Sequence, residues 1–193
     1  MANKKPLFSI ITVTFNAAEV LPPTLQSIKE QTFVDFEHLI IDGASRDNTL
    51  DVARNAGIEQ MIIHSEPDKG LYDAMNKSIA RAQGDFLIFL NAGDSFASPN
   101  SLYRIAALAS DDVDIIYGQT QIVNNQREVI GMRHLSAPTH LSPESFKQGM
   151  LVCHQAFIPR RSIVPLYDLT YRFSADYDWC IKCLKVSRKN AYL

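Results

Sequence analysis

The chain begins with an unbroken apolar and β-branched run over residues 7–15 (LFSIITVTF), too continuous for a strand with one wet face. It predicts a strand buried on both sides. Past Asn16, Leu21, Leu25 and Ile28 fall at helical spacing within residues 20–31, where Pro22 and Pro23 are tolerated because they occupy the first turn. The alternation then recurs, with a strand over 36–41 and a helix over 49–55, followed by a strand over 61–63 and a helix over 70–83. In that third helix Leu71, Ala74, Met75, Ser78, Ile79 and Ala82 make one apolar, small-residue stripe that predicts packing on a sheet. A fourth apolar strand over 86–90 (FLIFL) precedes a helix over 101–109.

Strand–helix units repeated in this order require a parallel sheet with right-handed crossovers and helices on both faces, an α/β architecture with a Rossmann-like front half. The pattern changes at Asp114. Residues 115–120 and 127–132 flank Asn124-Asn125, which reads as a hairpin turn. Polar loops follow, then a short strand over 156–158 and a last helix from near Asp176 towards Val186, so the back half is mixed. Residues 187–193 read as an unfinished end, and the chain as a single domain over 1–193 truncated at its C-terminus.

A length of 193 residues with 46% apolar content supports one well-buried domain and not two. Its 19 Lys and Arg nearly cancel 21 Asp and Glu, so no broad field recruits nucleic acid, and an anion must be gripped locally. The polar start over residues 1–6 lacks a signal-like apolar run, and no stretch of about 18 apolar residues exists for a membrane span. Three cysteines cannot all pair within one chain, which fits a reduced, cytoplasmic protein. Cys180 and Cys183 sit mid-helix on an apolar face with no second pair, and read as core thiols rather than a zinc or redox site. Arg160 and Arg161, on a loop, read as solvated side chains more than as a phosphate or lipid-headgroup grip.

Ligands of open parallel sheets bind beyond the carboxyl ends of the strands, and all four predicted ends are polar. They carry Thr14-Phe15-Asn16, Asp42-Gly43, residues 65–70 (SEPDKG) and residues 91–94 (NAGD). Polar βα loops are ordinary taken one at a time, but four together predict a shared crevice. Neither a G-x-G-x-x-G nor a G-x-x-x-x-G-K-[ST] loop is present, which argues against a dinucleotide cofactor and a P-loop.

The ordered segments TVTFN, IIDGASRDNT, EPDKGLYDAMN, FLNAGD and ADYDW, spread over residues 6–179, resemble family-two glycosyltransferases of the bacterial exopolysaccharide and lipopolysaccharide type. The resemblance implies a GT-A fold, with residues of about 6–118 binding the nucleotide-sugar and about 119–193 forming the acceptor side. It places Thr14, Asn16 and Asp42 against the base and ribose. Asp68 and Lys69 stand where the family meets the nucleotide or its phosphates, and Asp73 and Asn76, three apart on one helix, are expected on one side. Asp73 equally suits the positive end of its helix dipole. Asp47 and Asn48 read as turn formers and are left outside the expected site.

The family's D-x-D cluster is altered here. Asn91 replaces the first acid, leaving Asp94 as the single expected metal carboxylate, so Mn²⁺ or Mg²⁺ would rely mostly on phosphates and water, and Asn91 on the ribose or donor sugar. The resemblance assigns the catalytic base to Asp176, which could equally cap the last helix, with Asp178 as runner-up. His154, with Gln155, is expected on the acceptor side, although a lone histidine is more often structural. The expected donor is a UDP-sugar and the acceptor a polysaccharide or lipid-linked saccharide, with peripheral contact at the inner membrane face left open. Two rivals remain: a sugar-nucleotide nucleotidyltransferase, which would want a basic Gly-rich first loop, and a non-catalytic nucleotide-sugar-binding module, suggested by Asn91.

Overall fold

The first apolar run becomes β1 (Phe8–Thr14), every residue of which is buried, as is every residue of β2 (Phe36–Asp42) and β4 (Phe86–Phe89). β3 (Met61–Ser65), at one edge of the order β3-β2-β1-β4, is only half-buried, whereas the other edge, β4, is covered where Phe86 bridges Arg160. All three pairings are parallel, as the crossover argument requires. This computed structural model describes residues 5–193, so residues 1–4, the start of the polar N-terminus, lie outside the described residues.

Alternation along the strands sorts the core into two faces. Ile11, Val13, Leu39, Ile41, Leu87 and Phe89 meet Ala74 and Met75 of α3 (Leu71–Arg81) and Trp179, Cys180 and Cys183 of α5 (Ala175–Val186). Phe8, Ile10, Phe36 and Ile88 meet Ile28 of α1 (Leu21–Lys29) and Leu102 and Ile105 of α4 (Ser101–Ala106). Ile40 packs on Leu21, Leu25 and Ala53, the last from α2 (Thr49–Arg54). Cys180 and Cys183 are buried core thiols. The stripe of α3 starts one turn later than expected: Leu71 is 49% exposed, and Tyr72 packs on the core in its place.

The back half corrects two expectations. Ile115, Ile116 and Tyr117 do not join the hairpin. They form β5 (Ile115–Tyr117), centre of a second sheet between β8 (Phe157–Pro159, antiparallel) and β9 (Asn190–Tyr192, parallel). All three are buried, so this is a central strand, and the hairpin is instead made by β6 (Gln121–Val123) and β7 (Val129–Met132), exposed on both faces. Residues 187–193 are built into the fold through β9. Arg188 grips the buried Asp114 with Nε and Nη2 at 2.9 and 2.8 Å, holding that carboxyl below the usual range. Arg160 and Arg161 are structural ties rather than solvated or anion-binding groups. Arg160 lies 4.5 Å from the Phe86 ring centre and donates to Val113 O, while Arg161 Nε donates to Gly84 O at 3.0 Å. No helix among the described residues is long and apolar enough to cross a membrane.

At the amino ends of the strands a buried carboxylate closes the sheet. Glu37 Oε1 accepts Ser9 Oγ–H and Gln83 N–H, both at 2.6 Å. Gly84 N–H donates to Ser9 Oγ at 2.8 Å, an approach so close that a Cβ on Gly84 would fall 2.4 Å from Ser9 N. Gly84→Ala should therefore destabilise the protein by about 1–3 kcal/mol or more, read as a lower urea midpoint. A second expectation concerns His38, wholly buried, where desolvation lowers its pKa to about 3. Its Nε2 lies 3.1 Å from Thr12 Oγ1, which itself donates to Leu90 O, so Nε2 carries the proton and the ring is neutral. The unfolded ring takes up a proton near pH 6.5 and the folded one does not until about pH 3. Stability should thus fall by about 1.4 kcal/mol per pH unit as pH drops through that window, and His38→Asn should flatten the slope in urea melts run from pH 7 to 4.

Candidate functional site

Parallel register brings Thr14, Asp42 and Ser65 into one row at the carboxyl ends of β1, β2 and β3. The Asp42 carboxylate ties that row together. Oδ1 accepts Thr14 Oγ1–H at 3.0 Å, and Oδ2 accepts Ser65 Oγ–H at 2.7 Å and Ser45 N–H at 2.9 Å, while Ser45 Oγ also donates to Oδ1. Burial alone would push this carboxyl up, but the hydrogen bonds from Ser45, Ser65 and Thr14 outweigh it and hold Asp42 below the usual carboxylate range. A carboxylate has about four acceptor positions, so Asp42 retains none for a ribose hydroxyl.

The next loops are laced by short polar groups. Asn16 adopts the left-handed conformation (φ 49°), accepts Arg46 N–H at Oδ1 and donates its own N–H to Ser45 Oγ. Asp47 accepts Ala18 N–H at 3.1 Å and Thr49 N–H at 3.0 Å, which makes it a bridge between the loops after β1 and β2 and not only a turn former. Its spacing before Thr49 signals the local bond; nothing in the sequence signals the one to Ala18. Asp68 accepts Gly70 N–H at 2.8 Å and presses on Gly43, where a Cβ would lie 2.4 Å from Asp68 Oδ2. Lys69 is exposed at the lip, and its N–H donates to Asp73 Oδ2 at 3.0 Å.

Asp73 and Asn76 do not share a task. Asp73, its carboxyl held low by the Lys69 N–H, secures the start of α3. The Asn76 amide donates to Tyr167 O at 3.0 Å and accepts Tyr167 N–H at 2.7 Å, clamping the back half to α3 with both of its ends.

Beyond β4 the turn from Asn91 to Asp94 is folded onto α1. Thr24 Oγ1 donates to Asp94 O at 2.7 Å and accepts Gly93 N–H at 2.9 Å, with Gly93 at φ 101°. Asn91 Oδ1 is buried and has no hydrogen-bond partner. Asp94 Oδ2 accepts Gln155 Nε2–H at 2.7 Å. Burial raises the Asp94 pKa, offset in part by Gln155 and by the charge of Arg127, whose Nη1 donates to Gly93 O at 2.7 Å from the hairpin turn. Asp94, Arg127, Cys153 and Gln155 line a cleft of about 630 Å³ that runs between α1 and the hairpin. Sequence reading missed Arg127, which lies in an exposed hairpin and carries no local signal.

Asp176 stands in the first turn of α5, and Ser174, in the left-handed region at φ 62°, takes the N-cap position that Asp176 was open to filling. Tyr72 Oη, from the first turn of α3, donates to Asp176 Oδ1 at 3.0 Å. Tyr72 stacks on Tyr167, and Tyr167 stacks on Trp179 at 4.8 Å between ring centres. His154 is 5% exposed, wedged against Phe89, with Nε2 2.7 Å from Tyr167 Oη. Desolvation lowers its pKa to about 4, with the Asp176 charge acting in the opposite sense. It is therefore neutral at physiological pH. Asp178 faces elsewhere, paired with Lys182 Nζ at 2.6 Å.

Two loop systems thus meet across the His154–Gln155 pair: His154 packs into the aromatic cluster beside Asp176, and Gln155 reaches Asp94. Comparison with known proteins places the chain in a family. The chain is 40% identical over 187 residues to a PGL/p-HBAD biosynthesis glycosyltransferase of Mycobacterium bovis, an alignment covering 92% of this chain and 70% of the relative. S. aureus TarS 1-349 in complex with UDP-GlcNAc shares the fold at a TM-score of 0.77 and 19% identity, over 96% of this chain and 55% of that one. A mannosyltransferase from Pyrobaculum calidifontis in complex with GDP-Man and Mn²⁺ gives 0.65 and 16%, over 99% and 55%. The chain therefore spans little more than half the length of these solved structures. The Glycosyl transferase family 2 description matches residues 9–164. With a parallel sheet that carries polar residues at its strand ends, and with this match over most of its length, the chain belongs to glycosyl transferase family 2 and is a glycosyltransferase of the GT-A fold.

Proposed function

We propose that this protein transfers a sugar, with inversion, from a UDP-sugar to a hydroxyl of a polysaccharide or lipid-linked saccharide, working in the cytoplasm. The observation that carries the reading is the Asp176 carboxylate, oriented by Tyr72 Oη at 3.0 Å and joined to the Asp94 turn through adjacent His154 and Gln155. Nucleoside diphosphates leave without protonation, so one base suffices where a glycoside hydrolase needs an opposed acid as well. Asp176 takes the acceptor's proton as the acceptor oxygen bonds to the anomeric carbon. The bond from that carbon to the diphosphate breaks, and the electron pair leaves with the diphosphate. A single displacement inverts the anomeric centre. Tyr72 holds Oδ1, which leaves Oδ2 to receive the proton. Asp178 is less suited to the role because Lys182 neutralises it.

The residues fit a divalent ion that arrives with the diphosphate. Among the described residues no three His, Cys, Asp or Glu side chains gather as a self-sufficient site. Asp94, however, has one oxygen beyond the reach of Gln155, and the Asn91 Oδ1 oxygen is buried and unpartnered, two hard donors in one turn. Bound there, Mn²⁺ or Mg²⁺ supplies positive charge to the leaving diphosphate. The lining of Thr14, Asn16, Asp42 and Asp68 then shapes the loop backbone against the base and ribose, and Lys69 at the lip meets phosphate. The UDP-GlcNAc complex of TarS and the GDP-Man and Mn²⁺ complex of the Pyrobaculum enzyme support a nucleotide-sugar donor with a metal.

Asp176→Asn should cut transfer by about 10²–10⁴-fold while leaving donor affinity near the parent value, measured by nucleoside diphosphate release and by calorimetry. Asp94→Ala should instead weaken Mn²⁺-dependent donor binding. Equal loss of binding in both variants would refute this division of labour. Thermal shift against UDP-, GDP- and dTDP-sugars with Mn²⁺ identifies the nucleotide, since a bound ligand stabilises the native state by RT ln(1 + [L]/Kd).

A further inference from the structure

Asp94 is held from outside its own turn. Gln155 Nε2 donates to Asp94 Oδ2 at 2.7 Å, and Gln155 Oε1 accepts from Cys153 Sγ, also at 2.7 Å. Donor chemistry gives this chain one direction. A thiol donates and a carboxylate only accepts, so the amide between them must turn its oxygen to sulfur and its NH₂ to Asp94. The reversed amide would set two oxygens against each other. All three side chains line the cleft.

The base of the relay is rigid. His154, between Cys153 and Gln155 in sequence, is packed against Phe89 and Trp179 with Nε2 2.7 Å from Tyr167 Oη, which pins the short helical turn carrying Gln155. Where a metal has several carboxylate ligands, the loss of one orienting partner is shared. Here one carboxylate stands in the turn, so its rotamer alone sets where the charge lies, and partners that orient a ligand commonly change metal affinity by about 10–100-fold.

We infer that Gln155 is a positioning residue of the transfer reaction: through the Cys153–Gln155–Asp94 relay it fixes the Asp94 carboxylate, leaving one oxygen directed to the metal-bound diphosphate. The inference rests on the reading of Asp94 as the carboxylate that meets the metal. Its Cys153 member has a conservative replacement, since a serine hydroxyl donates as the thiol does and an alanine methyl does not.

The test is calorimetric titration of Mn²⁺ into the protein with UDP present, for the parent, Gln155→Met, Cys153→Ser and Cys153→Ala, each first shown by its urea midpoint to be folded. Gln155→Met keeps the length of the side chain and loses the hydrogen bonds, and should weaken Mn²⁺ binding by about tenfold or more. Cys153→Ala should weaken it less, and Cys153→Ser should stay at the parent value. In turnover, the Mn²⁺ concentration giving half-maximal rate should rise for Gln155→Met while the rate at saturating Mn²⁺ recovers. Parent-like Mn²⁺ affinity in Gln155→Met overturns the inference, and equal losses in the serine and alanine variants overturn the part assigned to Cys153. If the parent binds UDP as well in EDTA as in Mn²⁺, the reading of Asp94 itself fails and the inference falls with it, an outcome visible before any variant is compared.

Discussion

The buried carboxylate of Asp42 is the constraint on which the arrangement of the strand ends depends. A charge with 1% exposure survives only if its lone pairs are filled, and here the donors come from β1, from β3 and from the loop after β2. Three strand ends are thereby fixed against one another before any ligand arrives. The loops that continue from them, with Asn16, Ser45 and Asp47 exchanging hydrogen bonds across the gap, inherit that geometry. A set of loops built this way is preorganised, because the cost of ordering them has been met by folding.

The front and back halves are joined by two different means. On one face Asn76 and the ring series Tyr72, Tyr167, Trp179 and His154 lock α5 and the segment before it onto α3 and β4. At the Asn91–Asp94 turn, Gln155 and Arg127 reach the front half by hydrogen bonds. The first junction is apolar, buried and stiff. The second is polar and opens on the cleft, which suits the region proposed to accommodate a diphosphate and its counter-ion.

Several residues expected to touch the nucleotide have their polar atoms engaged within the protein. Asp42 and Asn76 spend their polar atoms on strand ends and on the Tyr167 backbone, and Asp73 on the start of its own helix. Family resemblance names positions, yet it does not separate a group that meets a ligand from one that holds the loop which does. Hydrogen-bond satisfaction makes that separation. Asn91 Oδ1 is one of the few buried polar atoms without a partner among the described residues, Gln155 engages only Oδ2 of Asp94, and both residues stand in the turn where the diphosphate is expected.

Much of the framework was legible from local signals. The apolar runs at Phe8–Thr14 and Phe86–Phe89, the stripe of α3 and the polar residues at four strand ends follow from side-chain periodicity and from the need to bury or solvate each group, which act within a few residues. The pairing of β5 with β8 and β9 was not, because an apolar triplet states that it is buried and not beside what. Nor were the roles of Asp47, Arg127, Arg160 and Gln155, whose partners lie 29, 34, 47 and 61 residues away. A hydrogen bond needs its donor and acceptor within about 3 Å, and that proximity arises only when the whole chain has packed, so no reading of neighbouring residues contains it.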